Sequence, residues 1–249
     1  TPDKTIRFSM AIHAANNLFA EAFIVSGDAV ARATDPTRNY IAEVMEVGEN
    51  FAGETFAVAL GNHDYRKDAS MSSDEPLPEG CRQEMEAMWL DIADTPPYQS
   101  FDIYGYTFIL LNTYRGHNDA RFFDDEQIVW LEETLLNSSR VILVMHHPVL
   151  TDHFRWLFWV PDIVTPSREP VFFDLIKEHR SKIQAVFIGH AHFWMSDFLN
   201  RTTPVYLTTS LGEADDYGVH VIGLSKDSLD VRRLFESELA TIAGTDRPQ

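Results

Sequence analysis

Four short apolar runs, each ending at once in residues able to hold a cation, constrain this chain more than any other feature. Gly27-Asp28 follows FIVS, and Gly61-Asn62-His63-Asp64 follows FAVAL. His146-His147-Pro148 follows VILVM, and Gly189-His190-Ala191-His192 follows AVFI. A continuous apolar run of this length suits a strand covered on both faces, as in the sheets of α/β proteins. Such sheets place their ligands just past the carboxyl ends of the strands. Strands are predicted at 23–26, 56–60, 107–111, 141–145, 185–188, 205–209 and 219–224.

Helical spacing fills the intervals. Asp35-Pro36 reads as an N-cap with a first-turn proline, followed by Tyr40, Val44, Val47 and Phe51 on one stripe. Asp124 with Gln127 resembles a capping box ahead of Ile128, Leu131 and Leu135. Phe172, Leu175, Ile176 and His179 form another stripe, and Trp89 and Trp130 fall on helical stripes that point to the core. This alternation, followed by strand-rich sequence, predicts an α/β sandwich. Two stretches break the rhythm: the polar segment 66–80, and the aromatic-rich segment 151–170, a possible lid.

Charge and cysteine content exclude several roles. The formal net charge of −18 opposes tight binding to nucleic-acid backbones and gives no basic surface for an anionic membrane. Cys81 is the single cysteine, so no internal disulfide scaffold exists. No apolar run approaches the roughly 20 residues needed to cross a bilayer. The chain starts at Thr1 without a charged-then-apolar targeting segment. A soluble protein is expected, either cytoplasmic or exported with its signal removed; oligomeric state stays open.

Each motif alone is weak, since Asp after Gly is commonly a turn residue and a lone His commonly packs. Together they supply Asp, Asn and several His from successive strand ends, and no sulfur. That donor set suits Mn, Fe or Zn.

The order GD…GNHD…HHP…GHAH resembles the calcineurin-like metallophosphoesterase family over residues 23–235. The stretches SFDIYGYTFILLNT and FFDDEQIVWLEETL agree, lying where that family has a strand and then a helix. The resemblance implies a four-layer α/β/β/α sandwich of two mixed β-sheets flanked by helices, formed by residues 1–249 as a single domain. It implies a two-metal centre of divalent or mixed-valence Mn, Fe or Zn between the sheets. By the same resemblance Asp28 bridges the metals, Asn62, His146 and His190 complete the second metal's set, and His192 serves the first. His63 is a catalytic group facing the phosphate or the leaving oxygen. Asp64 orients it and favours its protonated form. His147 stands behind the ligands or simply packs beside Pro148. Two cations roughly 3.5–4 Å apart lower the pKa of a shared water. The resulting hydroxide attacks phosphorus in line with the departing oxygen.

The chain departs from that pattern at its start, where the family has a strand ending in Asp-X-His. Here the text is RFSMAIHAANN. Either Ala11-Ile12-His13 is a decayed version of the motif, or 11–22 is a helix entered directly from a strand at 6–10, and the metal-binding turn is missing. We favour the second, because a ligand turn, a helix and a strand do not fit comfortably between His13 and Asp28.

The expected substrate is a small phosphoester. A diester of nucleotide or glycerol type is slightly preferred over a monoester, because aromatics could hold a second substituent. Tyr114, Arg115, Trp156 and Phe193, with His63, are the candidate substrate contacts. Ala31 stands where some purple-acid relatives carry a tyrosine ligand, so a tyrosinate–iron centre is not expected. The rival reading is a non-catalytic scaffold, if the first metal site is truly lost.

Overall fold

The computed structural model describes residues 2–72, 75–154, 162–212 and 216–244. The chain opens with a helix, α1 (Pro2–Asn17), where 6–10 was expected to be a strand. Helical spacing turns Met10 and Ala14 onto a core cluster with Tyr217, Leu234 and Leu239. The Phe8 ring meets Phe23 and Phe56 edge-on at 5.8 and 6.2 Å. These contacts outweigh the local strand pattern. The expected helix at 11–22 ends early, at Asn17. His13 is exposed on α1, and no Asp-X-His turn forms.

Strand β1 (Ala22–Val25) follows. The Asp35-Pro36 pair does not start a helix. It lies in the turn of a small hairpin of β2 (Thr34–Asp35) and β3 (Arg38–Asn39), where Asp35 Oδ1 accepts from the Thr37 amide and hydroxyl. Asn39 caps α2 (Tyr40–Gly48) instead, accepting from the Ala42 amide at 3.1 Å. An aspartate that can close its own turn competes with the helix for that backbone. Next come β4 (Thr55–Val58), α3 (Cys81–Ala93), β5 (Gln99–Ile103) and β6 (Tyr106–Leu111). After them run α4 (Asp125–Asn137), β7 (Val141–Met145), α5 (Pro170–Glu178) and β8 (Ile183–Ile188). The chain closes with β9 (Met195–Leu199), β10 (Thr203–Leu207), β11 (Gly218–Leu224), β12 (Leu229–Phe235) and α6 (Glu236–Ala243). Asp124 caps α4 as expected, but Gln127 does not return the bond. Its amide grips Asn112 instead, accepting from the Asn112 N–H and donating to the Asn112 carbonyl.

The fold is mixed α/β. Its largest sheet has six strands in the order β5-β6-β7-β8-β10-β9, with the four inner strands parallel and the two edges antiparallel. Every residue of β7 is buried, as its unbroken apolar run requires. Trp89 is fully buried, whereas Trp130 lies at the margin of the main cluster.

The remaining long strands form two pairs, β1 with β4 in parallel and β11 with β12 antiparallel. All of β1 and all of β11 line one cavity of about 630 Å³, bordered also by Phe8, Ala11 and Ala14 of α1. Past the end of β1 the same cavity reaches Asp28, His63, His190 and His192.

Candidate metal centre

The site is built from the segments that leave β1, β4, β7 and β8. After β1 the backbone turns through two left-handed residues, Gly27 (φ 93°) and Asp28 (φ 52°). His190 (φ 67°) and His192 (φ 56°) are left-handed as well. Non-glycine residues hold that conformation at a cost of about 1–3 kcal/mol each, and such residues cluster at functional sites.

The chain passes so close to itself here that side chains are excluded. A Cβ on Gly61 would lie 2.4 Å from Asp28 Oδ1 and 2.7 Å from His146 Cγ. A Cβ on Gly27 would lie 2.3 Å from His146 Nδ1. The two glycines let β1 and β4 close around the His146 ring.

That ring is the hub. His146 Nδ1 donates to the Ser26 carbonyl at 3.0 Å, which directs Nε2 into the site. Nε2 then lies 3.0 Å from Asp28 Oδ2 and 3.1 Å from His190 Nδ1. Three donor atoms from three strand ends therefore converge. Burial opposes charge on Asp28, but His146 and then His63 prevail and hold its carboxyl down to about 2. Burial also opposes charge on His146, and Asp28 raises it above the ordinary imidazole range. A proton on His146 thus supplies the positive charge that a bound cation would bring.

Asn62, next in the chain to Gly61, is buried, and its Oδ1 has no hydrogen-bond partner among the described residues. An orphaned buried acceptor is costly, and a hard cation would satisfy it. His146, His147 and His190 place ring nitrogens within 4.8 Å of one another. His147 is fully buried between Thr113, whose Oγ1 is 2.6 Å from Nδ1, and the other two rings. Burial first, then the positive charge of His146 and His190, holds it well below the usual imidazole range. It is therefore neutral, the form that binds metals. The sequence offered two readings of His147, and neither made it a ligand. The doubled His-His of the motif was the signal that could have raised it. The oxygen and imidazole donors around Asp28 fit a metal cation. His192 lines the same cavity.

His63 begins a single 3-10 turn, His63–Tyr65, and its N–H donates to Asp28 Oδ1 at 2.9 Å. The expected support from Asp64 does not form. Asp64 is fully buried, and its carboxylate accepts the amides of Gly61 (2.8 Å) and Val30 (3.1 Å), tying the two strand-end loops together. Burial, then the charge on Asp28, raises it to about 7. Asp64 shapes the site without orienting His63.

Of the predicted substrate contacts, His63 lines this cavity, whereas Tyr114, Arg115 and Phe193 do not. Tyr114 is buried, stacked on His117 at 4.2 Å and against Tyr65. Arg115 is buried too, with Nε 2.8 Å from Asp124 and Nη2 3.1 Å from Glu126. Its charge is spent on those carboxylates and on Glu86. Phe193 packs on the main core cluster. Trp156, and residues 155–161 of the lid candidate, lie outside the described residues.

A family profile described as calcineurin-like phosphoesterase matches residues 8–193. Among solved structures, a dimetal phosphatase from Danio rerio is similar at 14% identity and TM-score 0.65, covering 92% of this chain and 85% of that one. GAP50, described as the anchor in the inner membrane complex of Plasmodium, is similar at 12% identity and TM-score 0.55, covering 94% and 80%. A hypothetical protein from Thermus thermophilus follows at 11% identity and TM-score 0.51, covering 93% and 94%. At such identities the likeness is one of fold. No curated protein matches the sequence.

Proposed function

Because the chain belongs to the calcineurin-like phosphoesterases, hydrolases of phosphoester bonds, we propose that it is a phosphodiesterase acting on a small nucleotide- or glycerol-type substrate. The observation that carries this reading is the convergence of Asp28, His146 and His190, and with it the buried, unpartnered Oδ1 of Asn62, the residue after the Gly61 that packs against Asp28 and His146. Asp28, His146, His190 and Asn62 hold the second metal of the pair, and Asp28 with His192 serves the first. The metals are Mn, Fe or Zn, and residues 1–249 act as one domain.

Cations held there would supply positive charge at the phosphate and lower the pKa of a water. The protein's part is positioning. Asp64 fastens the loops after β1 and β4 to each other. The His63 amide holds Asp28 Oδ1, and its ring, at the cavity, offers a hydrogen to the leaving oxygen. The cavity of about 630 Å³ that continues from the site gives room for a second ester substituent, which supports a diester over a monoester.

One observation favours a scaffold. With α1 in place of the Asp-X-His turn, Asp28 and His192 are the sole expected ligands left to the first metal among the described residues. The experiment is metal analysis together with hydrolysis of bis(p-nitrophenyl) and p-nitrophenyl phosphate, in Mn, Fe and Zn separately. Turnover that Asn62→Ala lowers by at least about 100-fold, with loss of bound metal, supports the enzyme. Wild type and Asn62→Ala equally inert with every metal would overturn it.

A further inference from the structure

The polar segment 66–80 begins with Arg66, which touches His63 at two points. The Arg66 amide donates to the His63 carbonyl at 3.0 Å, and Arg66 Nη1 lies 3.2 Å from His63 Nδ1. The guanidinium is itself held, because Nε donates to the Met71 carbonyl at 2.8 Å. The Arg66 carbonyl accepts from the Ala33 amide at 2.7 Å. Arg66 is thus anchored on both sides and half-buried against the imidazole.

A second group competes for the same ring nitrogen. The Ala31 carbonyl lies 3.3 Å from His63 Nδ1. The two contacts make opposite demands. A carbonyl accepts, so it needs a hydrogen on Nδ1; an arginine donates only, so it needs Nδ1 bare. Just one can be a hydrogen bond at a time. The arginine contact is shorter and charge-assisted, and charged donors form the stronger bonds.

We propose that Arg66 is a positioning residue that sets the tautomer of His63, donating to Nδ1 and so keeping the ring hydrogen on Nε2, the nitrogen left for the cavity. This rests on the phosphoesterase reading above, in which His63 presents a hydrogen to the leaving oxygen. With the opposite tautomer, Nε2 would meet that oxygen as a lone pair against a lone pair. Arg66 therefore couples segment 66–80, through Met71, to the hydrogen that the site needs.

The test reads the tautomer directly. Nitrogen-15 spectra of the histidine rings are recorded on the full chain supplied with Zn(II), with His63 assigned by comparison with His63→Gln. The expected result is a bare Nδ1 and a protonated Nε2 in the wild type. In Arg66→Met the hydrogen moves to Nδ1, facing Ala31. Where turnover is measurable, Arg66→Met lowers kcat by about 10–100-fold with KM within about twofold, and Arg66→Lys restores part of it. A hydrogen on Nδ1 in the wild type overturns the proposal, as does an unchanged tautomer in a folded Arg66→Met. A wild type with the expected tautomer but no phosphoester turnover would sink the enzymatic reading and leave the Arg66–His63 bond standing.

Discussion

His146 Nε2 lies 3.0 Å from Asp28 Oδ2, although the two residues follow strands in different sheets, β7 and β1. His146 is buried and Asp28 half-buried, and the ring nitrogen is aimed by the Ser26 carbonyl rather than by any neighbour in sequence. This contact joins the six-stranded sheet to the smaller pair at the point where the other donors gather. Most of what can be tested about the site follows from how tightly it is enclosed.

Gly61→Ala should damage the centre without replacing a donor residue. The new methyl would stand 2.4 Å from Asp28 Oδ1, so either the carboxylate or the loop must move. Overpacking of this kind costs about 1–3 kcal/mol. Calorimetric metal titration should show affinity lower by at least about tenfold, together with a lower Tm. Unchanged metal affinity would mean that the loops are looser than their packing implies.

Removing metal should destabilise the fold. A chelator leaves Asn62 Oδ1 unsatisfied again. A ligand held at 100–1,000 times its Kd stabilises by about 3–4 kcal/mol. Differential scanning calorimetry should show Tm fall on chelation and recover with added Mn or Zn. No shift in either direction would count against a structural cation site.

Arg115→Met should unfold the protein more easily yet leave substrate affinity alone. Its side chain is 7% exposed and faces Asp124 and Glu86, themselves mostly buried. Removing one partner of a buried ion pair costs about 3–5 kcal/mol. Urea denaturation should show a loss of that order while KM stays within about twofold. A large rise in KM with little loss of stability would restore Arg115 as a substrate contact.

Acid should weaken the fold partly through His220. Burial, then the nearby Arg233, lowers His220 from 6.5 to about 4. The folded ring is neutral over that window, whereas the unfolded chain takes up a proton near the ordinary value. The unfolded state thus binds more protons between pH 6.5 and 4, and stability falls as pH falls through it. Full expression of the shift amounts to about 3 kcal/mol. His220→Phe should flatten the dependence of Tm on pH between 6.5 and 4. An equally steep profile in the variant would assign the acid sensitivity elsewhere, Asp197 being the first candidate. The Thr151 hydroxyl, the His153 ring and amide, and the Phe154 amide outweigh burial and hold its carboxyl below the usual range.

The chain's own text was enough to mark the candidate donors and the strands they follow. Asp28, Asn62, His146, His190 and His192 each stand directly after an apolar run, and the runs of β7 and β8 are buried on both faces as their composition requires. Such features are local: a strand covered on both faces carries its environment in consecutive residues. The strands β5, β9 and β12 escaped detection because they lie at sheet edges and alternate between buried and exposed positions. Tertiary structure alone decided the rest. It made 6–10 part of α1, because Phe8 and Met10 found partners on β1, β4 and β12. It turned Tyr114 and Arg115 inward, drew His147 in among the ring nitrogens, and set Arg66 rather than Asp64 against His63. Each of these outcomes depends on which distant side chain offers the complementary charge, ring or hydrogen bond, and neither periodicity nor motif spacing carries that information.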